Sequence, residues 1–482
     1  MAEPNSLRYT YFFGKGNKML KKKDVNMLSG SIVKGLLTIA IPVMVMNILQ
    51  SIYNIVDMTV LKMYDTGNSV GAVGVSGYLI SLVTGLLVGI SSGTNVVVAR
   101  HIGKGDTESA QKAVGTAILF SLFGGLTLTV IGVSGARLFI TWMNCDVELL
   151  PQAVLYFRLY FIGVPILMVY NFCASILRST GDSKRPMIYL SIAGAIKVGA
   201  TLLFVGVFNL KVTGVALATI LSWSLSAVLG LQALIRNEGA VKLRKKYLRI
   251  YKEELKEMLF LGIPAGLQSA LYSIANVIIS SQVNLFGKQA TTGISIANQF
   301  DGIMYQISVA PSLAVMAYVS QNIGAGNIKR AQEATIKGMM ITVALGASFG
   351  ALSAIFSGQL SSIMSDDPVA IAYSQQKMVI ISATYFLSGV NEVLGASMRG
   401  MRRPMVAMIS TMIFMCGIRF IWVYGIYIPF LKGTSSALTF LYLIWPIGWV
   451  LSIITLLCFF FPTVRKHKRL AQINQAVNQE NQ

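Results

Sequence analysis

The chain of 482 residues predicts an all-α membrane protein, twelve transmembrane helices in two six-helix lobes, and three observations predict it. Its composition, 54% apolar and 12% charged with a mean hydropathy of +0.64, lies far outside the range of soluble domains. Apolar stretches of about 20 residues, enough to cross roughly 30 Å of hydrocarbon, recur over 35–60, 68–98, 112–136, 154–177, 186–208, 213–235, 258–283, 291–319, 332–357, 376–398, 404–427 and 436–461. The third observation is a repeat: IPVMVMNILQSIYNIVD in helix 1 lines up with IPAGLQSALYSIANVII in helix 7, placing Pro42 on Pro264 and Asn54 on Asn276 at an offset of 222.

Before helix 1, residues 1–33 form a polar tail with Lys15, Lys18, Lys21, Lys22 and Lys23. It has no apolar core or cleavage site, so helix 1 is expected to be the uncleaved insertion signal. That helix carries one carboxylate, Asp57, almost at its far end. An ionised carboxylate in hydrocarbon costs about 2.5–3.5 kcal/mol on insertion scales, so it marks an ion- or substrate-handling site. After helix 2, IGKGDTESAQKA pairs with IGAGNIKRAQEA after helix 8 at an offset of 221. The glycines allow a tight turn, and Asp106 and Asn327 are placed to cap the next helices. No GxxxxGK[ST] occurs, so an ion gradient or the membrane potential must drive uphill movement. After helix 4, the stretch from Arg178 to Pro186 corresponds to Arg399 to Pro404 after helix 10. Six helices per repeat make the lobes parallel repeats: N-lobe 34–235, basic linker 236–256, C-lobe 257–461 and a C-terminal tail from 462 to 482.

Lys and Arg decide the orientation. The linker alone holds Arg236, Lys242, Arg244, Lys245, Lys246, Arg249, Lys252 and Lys256, whereas Lys62, Arg137, Arg158, Lys211, Lys288, Lys377 and Lys432 fall on the opposite side. Both termini are therefore expected in the cytoplasm, with the chain in a plasma membrane of bacterial type. The net charge of +21 reads as topology and anionic-lipid contact, not nucleic-acid binding. Cys145, Cys173, Cys416 and Cys458 lack metal-ligand or disulfide spacing and read as packing residues. With His101 and His467 alone, and no HExxH, CxxC or GxSxG, enzymatic chemistry and bound cofactors are not expected.

Pro42, Gln50 and Asp57 in helix 1, the GKGD and GAGN loops, the two Arg-to-Pro hinges and GVALAT from Gly214 together resemble the multidrug and toxic compound extrusion (MATE) family over nearly all of residues 30–460. The resemblance implies a twelve-helix antiporter that exports cationic or amphiphilic compounds in exchange for protons or sodium ions, with the family's helix 1 aspartate at Asp57. Where many relatives carry an asparagine and an aspartate in helix 5, this chain has Lys197 and Thr201; where another branch has carboxylates in helices 7 and 10, it has Tyr272 and Ser388, with Glu392 one turn on.

The intramembrane charges are then Asp57, Asp301 and Glu392 against Lys197 and Arg419, and unpaired they would cost on the order of 12–17 kcal/mol. Lys197 lies roughly 18 Å beyond Arg185, near mid-membrane, and its stem can reach toward Asp57. The expectation is an Asp57–Lys197 pair, with Thr201, that couples transport to protons, the ammonium standing where a sodium ion sits elsewhere; a static packing pair is the plain alternative. Asp301 and Glu392 are expected to face a cationic substrate, Glu392 otherwise pairing with Arg419 or a basic loop. Gln50, Tyr53, Asn54, Gln268, Tyr272 and Asn276 are expected to line the cavity and hold flat amphiphiles by stacking and hydrogen bonds. The methionine stripe Met401, Met405, Met408, Met412 and Met415 reads as packing or lipid-facing surface. A lipid-linked saccharide flippase is the rival reading, disfavoured by an acidic excess of one in the spans. A monomer is expected.

Overall fold

The computed structural model describes residues 26–64, 68–143, 145–432, 434 and 436–480; the lysines of the N-terminal tail from Lys15 to Lys23 lie outside them. The described residues form helices and turns only. The N-lobe comprises α1 (Ile32–Tyr64), α2 (Asn68–Lys104), α3 (Thr107–Trp142), α4 (Leu150–Ser179), α5 (Lys184–Thr201) running into a π-helical turn (Leu202–Val207), and α6 (Lys211–Ile235). The C-lobe comprises α7 (Lys252–Val283), α8 (Lys288–Gly324), α9 (Ile328–Ile355), short α10 (Ser357–Ser362), α11 (Pro368–Ser382) and α12 (Tyr385–Gly400). It ends with α13 (Pro404–Thr411), α14 (Ile418–Phe420) and the π-helical turns around it (Met412–Gly417 and Ile421–Leu431), α15 (Ala437–Tyr442) and α16 (Ile444–Glu480).

Among the described residues, ten helical segments are long and apolar enough to cross a membrane, and α11 with α12, bent by 46°, makes an eleventh. The 32 residues of α7, about 48 Å of helix at 1.5 Å per residue, complete the expected twelve. The tenth predicted span begins earlier than 376: Pro368 occupies the first turn of α11, and the Asp367 carboxylate accepts from the Val369 backbone N–H at 2.9 Å. The last helix likewise runs on through the polar tail to Glu480.

Asp106 caps α3 as expected, accepting from the Ser109 N–H at 2.9 Å, which holds its carboxyl below the usual range. Asn327 makes no such side-chain bond at the start of α9. Gly105 and Gly326 both take positive φ, +74° and +76°, as the turns after α2 and α8 require.

The first helix of each repeat divides its packing between the lobes. At the basic end, Leu36, Ile39 and Ala40 of α1 join the C-lobe core with Val315, Tyr318 and Leu394. Met258 and Leu261 of α7 conversely join the N-lobe core. Further along, α1 turns to α5 and α7 to α13 and α14, so the seam between lobes lies at the basic end. Small residues permit its closeness: a Cβ on Gly103 would stand 2.0 Å from the Gln321 carbonyl oxygen, and one on Gly324 would stand 2.3 Å from that of Arg100. The two turns thus interlock as a symmetric pair.

Candidate functional site

Asp57 is buried on the α1 face that meets α5. Lys197 Nζ lies 2.6 Å from its Oδ2, and Thr201 Oγ1 donates to its Oδ1 at 3.2 Å. Lys197 and Thr201, four residues apart, reach the carboxylate from one side of α5. One turn below, the ring of Tyr53 takes the space beside Gly194, where any Cβ would collide at 2.0 Å, and its hydroxyl donates to the Ser191 carbonyl at 3.4 Å. Gly194 therefore lets α1 and α5 approach closely enough for the ion pair. Gln50 and Asn54 are exposed.

In the C-lobe, helix 7 and the span after the second hinge meet as helices 1 and 5 do, with different groups. Arg419, 2% exposed, donates to Asn276 Oδ1 at 2.7 Å and lies 4.9 Å from the Trp445 ring centroid. It does not pair with Glu392. That carboxylate is buried beside Tyr272 and Arg399, and Arg399 donates to Gln268 Oε1 at 3.0 Å. Asn391 donates to the Tyr272 hydroxyl at 3.3 Å and accepts from Ser452 at 2.6 Å.

Asp301 is bonded to a residue that sequence reading placed at the outer edge of its span. Lys377 Nζ lies 2.8 Å from Asp301 Oδ2, also donates to Asn298, and stands 5.8 Å from the Trp445 ring. The Asp301 backbone carbonyl accepts from Tyr385 at 2.9 Å. Lys377 is buried because α11 begins eight residues before the predicted span. The Asp367-Pro368 dipeptide, a helix-start signal, is what could have found it. Arg399 and Trp445 were missed too, the arginine because it was read as a hinge residue. These residues correct the charge count: Lys377 balances the expected acidic excess, and Arg399 turns it basic.

At the basic end the lobes are tied by charge. Arg100 of α2 forms a bidentate pair with Glu257 of α7, Arg402 Nε reaches the same carboxylate at 2.8 Å, and His101 Nε2 lies 3.1 Å from Glu254. Gln321 Nε2 adds a bond to the Ser179 carbonyl at 2.7 Å. Burial pushes the Glu257 carboxyl up, but the bonds and charges of Arg100 and Arg402 outweigh it and hold it below its usual range.

Two halves of one architecture, a closed seam at one end and buried ion pairs in each lobe describe a membrane transporter. Comparison with known proteins says which kind. The MatE family profile matches residues 42–205 and again 264–424, one match per lobe, so the chain belongs to the MatE family of multidrug efflux transporters, which are not enzymes. The probable multidrug resistance protein YpnP of Bacillus subtilis is 27% identical over 383 residues, 78% of this chain and 84% of that protein. The fold is shared with a MATE protein crystallised with MaL6, at a TM-score of 0.86 and 20% identity over 93% of this chain and 100% of the other. It is shared equally with a transporter of the MOP superfamily from Pyrococcus furiosus, described as having a binding pocket of reverse polarity, at a TM-score of 0.85 and 20% identity over 93% and 99%.

Proposed function

We propose that the protein exports flat, amphiphilic organic compounds by alternating access and draws its energy from protons entering through the N-lobe. The observation that carries this reading is the buried set of Asp57, Lys197 and Thr201. With Asp57 ionised, ammonium and hydroxyl both hold the carboxylate and tie α1 to α5. A proton taken onto Asp57 removes that charge and frees Lys197, so the two helices can repack and release substrate outward. Opening of the seam at the basic end, which this reading puts on the cytoplasmic face, lets the proton leave inward and the pair re-form. One proton in per cycle supplies about 1.4 kcal/mol per pH unit of gradient and about 2.3 kcal/mol per 100 mV. A sodium ion has less to gain here, because the ammonium already occupies the cation's place.

Gln50, Tyr53 and Asn54 on α1, with Gln268, Tyr272 and Asn276 on α7, supply the aromatic and amide groups that grip such compounds. One observation widens the substrate class beyond cations. The Asp301 carboxylate is already bonded to Lys377, and Arg419 has no carboxylate partner among the described residues. Amphiphiles bearing an acidic group therefore suit the C-lobe, in keeping with the reverse polarity described for the Pyrococcus relative. Purified protein in vesicles under separate proton and sodium gradients tests the driving ion, with matched cationic and anionic dyes as cargo. Efflux driven by sodium alone at constant pH would overturn proton coupling, and efflux of cations only would overturn the wider substrate class.

A further inference from the structure

Two cavities lie side by side where α7, α13 and α16 converge at the basic end of the C-lobe. One is a groove of about 660 Å³ with walls from Phe260, Ile263 and Leu267 of α7 and Met405 and Met408 of α13. Phe260, Ile263, Leu267 and Met405 are each more than 40% exposed, an apolar strip about 10 Å long on membrane-spanning helices. The other cavity, about 260 Å³, is lined by Arg402, Arg403, Lys466 and His467 with Thr463. Phe260 and Arg402 border both, so one molecule with an anionic head and an apolar tail can fill the two together.

The carboxylates near the groove do not cancel this basic cluster. Glu257 is taken by Arg100 and Arg402, Glu254 meets His101, and Glu253 is offset by Lys256 on the same rim. Arg403 and Lys466 have no carboxylate partner among the described residues. A soluble anion would use the basic cavity and leave the groove empty, whereas a phospholipid uses both. We propose that this is a binding site for an anionic phospholipid of the leaflet at the basic end, its phosphate on Arg402, Arg403 and Lys466 and an acyl chain along α7 and α13. Arg402 also belongs to the Arg100–Glu257 tie between the lobes. The bound lipid therefore favours the state in which this end is closed.

The test uses the full-length protein in nanodiscs, with native mass spectrometry counting retained lipid and a spin-label distance across the basic end reading closure. Phosphatidylglycerol should be retained over phosphatidylcholine and should shift the distance toward the closed state. The R403Q/K466Q variant should lose that preference by about thirtyfold, two surface charges at about 1 kcal/mol each, with an unchanged melting temperature in phosphatidylcholine. Met405→Trp, which fills the groove, should lower retention of phosphatidylglycerol while leaving those charges in place. Equal retention of the two lipids by the wild type, or an unchanged preference in R403Q/K466Q, would overturn the proposal. So would full displacement of the lipid by inorganic phosphate, which would mark a head-group anion site only.

Discussion

A buried ion pair in a membrane helix bundle is costly to form and costlier to break, so Asp57 and Lys197 need separate tests of structure and of function. Truncating one partner of a buried pair costs about 3–5 kcal/mol because the other charge is left unpaired. Asp57→Asn should therefore lower both thermal stability and gradient-driven efflux, the uncharged side chain leaving Lys197 without its counter-ion. The D57N/K197Q double variant should recover most of the stability and none of the coupling, measured as dye efflux under an imposed proton gradient. Efflux at the wild-type rate in the double variant would reduce the pair to a packing device. Both members were legible in the sequence because each is a solitary charge inside an apolar run, and two such charges at adjoining depths must find each other. Lys377 was not legible in the same way: hydropathy alone began its helix too late and left it at the outer end of the span. Arg419 was recognised as intramembrane but its partner was not, since Asn276 and Trp445 are uncharged and give no signal in a count of charges.

The elements explain how these residues act together. Helices α1 and α7 each belong to one lobe at one end and touch the opposite lobe at the other, so a change in packing along α1 reaches the seam. Interlocking turns make that seam sensitive to a single methyl group. Gly103→Ala would press a Cβ against the Gln321 carbonyl, and either that end opens or the backbones part. The expected outcome is a wider distance across the basic end by spin labelling and slower export, with the buried Asp57–Lys197 pair intact. The charged tie responds to pH in a direction fixed by Glu257. Its carboxyl is held below the ordinary range, so the stabilisation is fully present above the unfolded value of about 4.3 and is lost as pH falls through the lower folded value. Closure should thus be flat across neutral pH and weaken only in strong acid, and Glu257→Gln should weaken it at all pH values. A loss of closure between pH 6 and 7 in the wild type would overturn this assignment to Glu257. The repeated glycine turns and the Asp106 cap were readable from sequence; the crossing of α1 and α7 between lobes was not, because a repeat shows which segments correspond and not which lobe each half of a helix touches.

For the molecule as a whole, the packing predicts which surfaces water reaches. Contacts between lobes gather at the end bearing the basic loops, while Asn54 and Asn276 lie beyond that seam and are exposed. On the proposed orientation, with the basic end in the cytoplasm, the resting molecule should admit reagents from outside to α7 at Asn276 and exclude them at Met258, which is 1% exposed in the N-lobe core. A cysteine at 276, in a background with Cys145, Cys173, Cys416 and Cys458 replaced, should react quickly with an impermeant maleimide added outside. One at 258 should react slowly from either side. Substrate and proton shift the two in opposite directions if the lobes alternate: raising external pH, which keeps Asp57 ionised, should change the ratio of the two rates reciprocally. A cysteine at 276 that is labelled only from the cytoplasmic side would reverse the orientation, and with it the direction in which protons and substrate move.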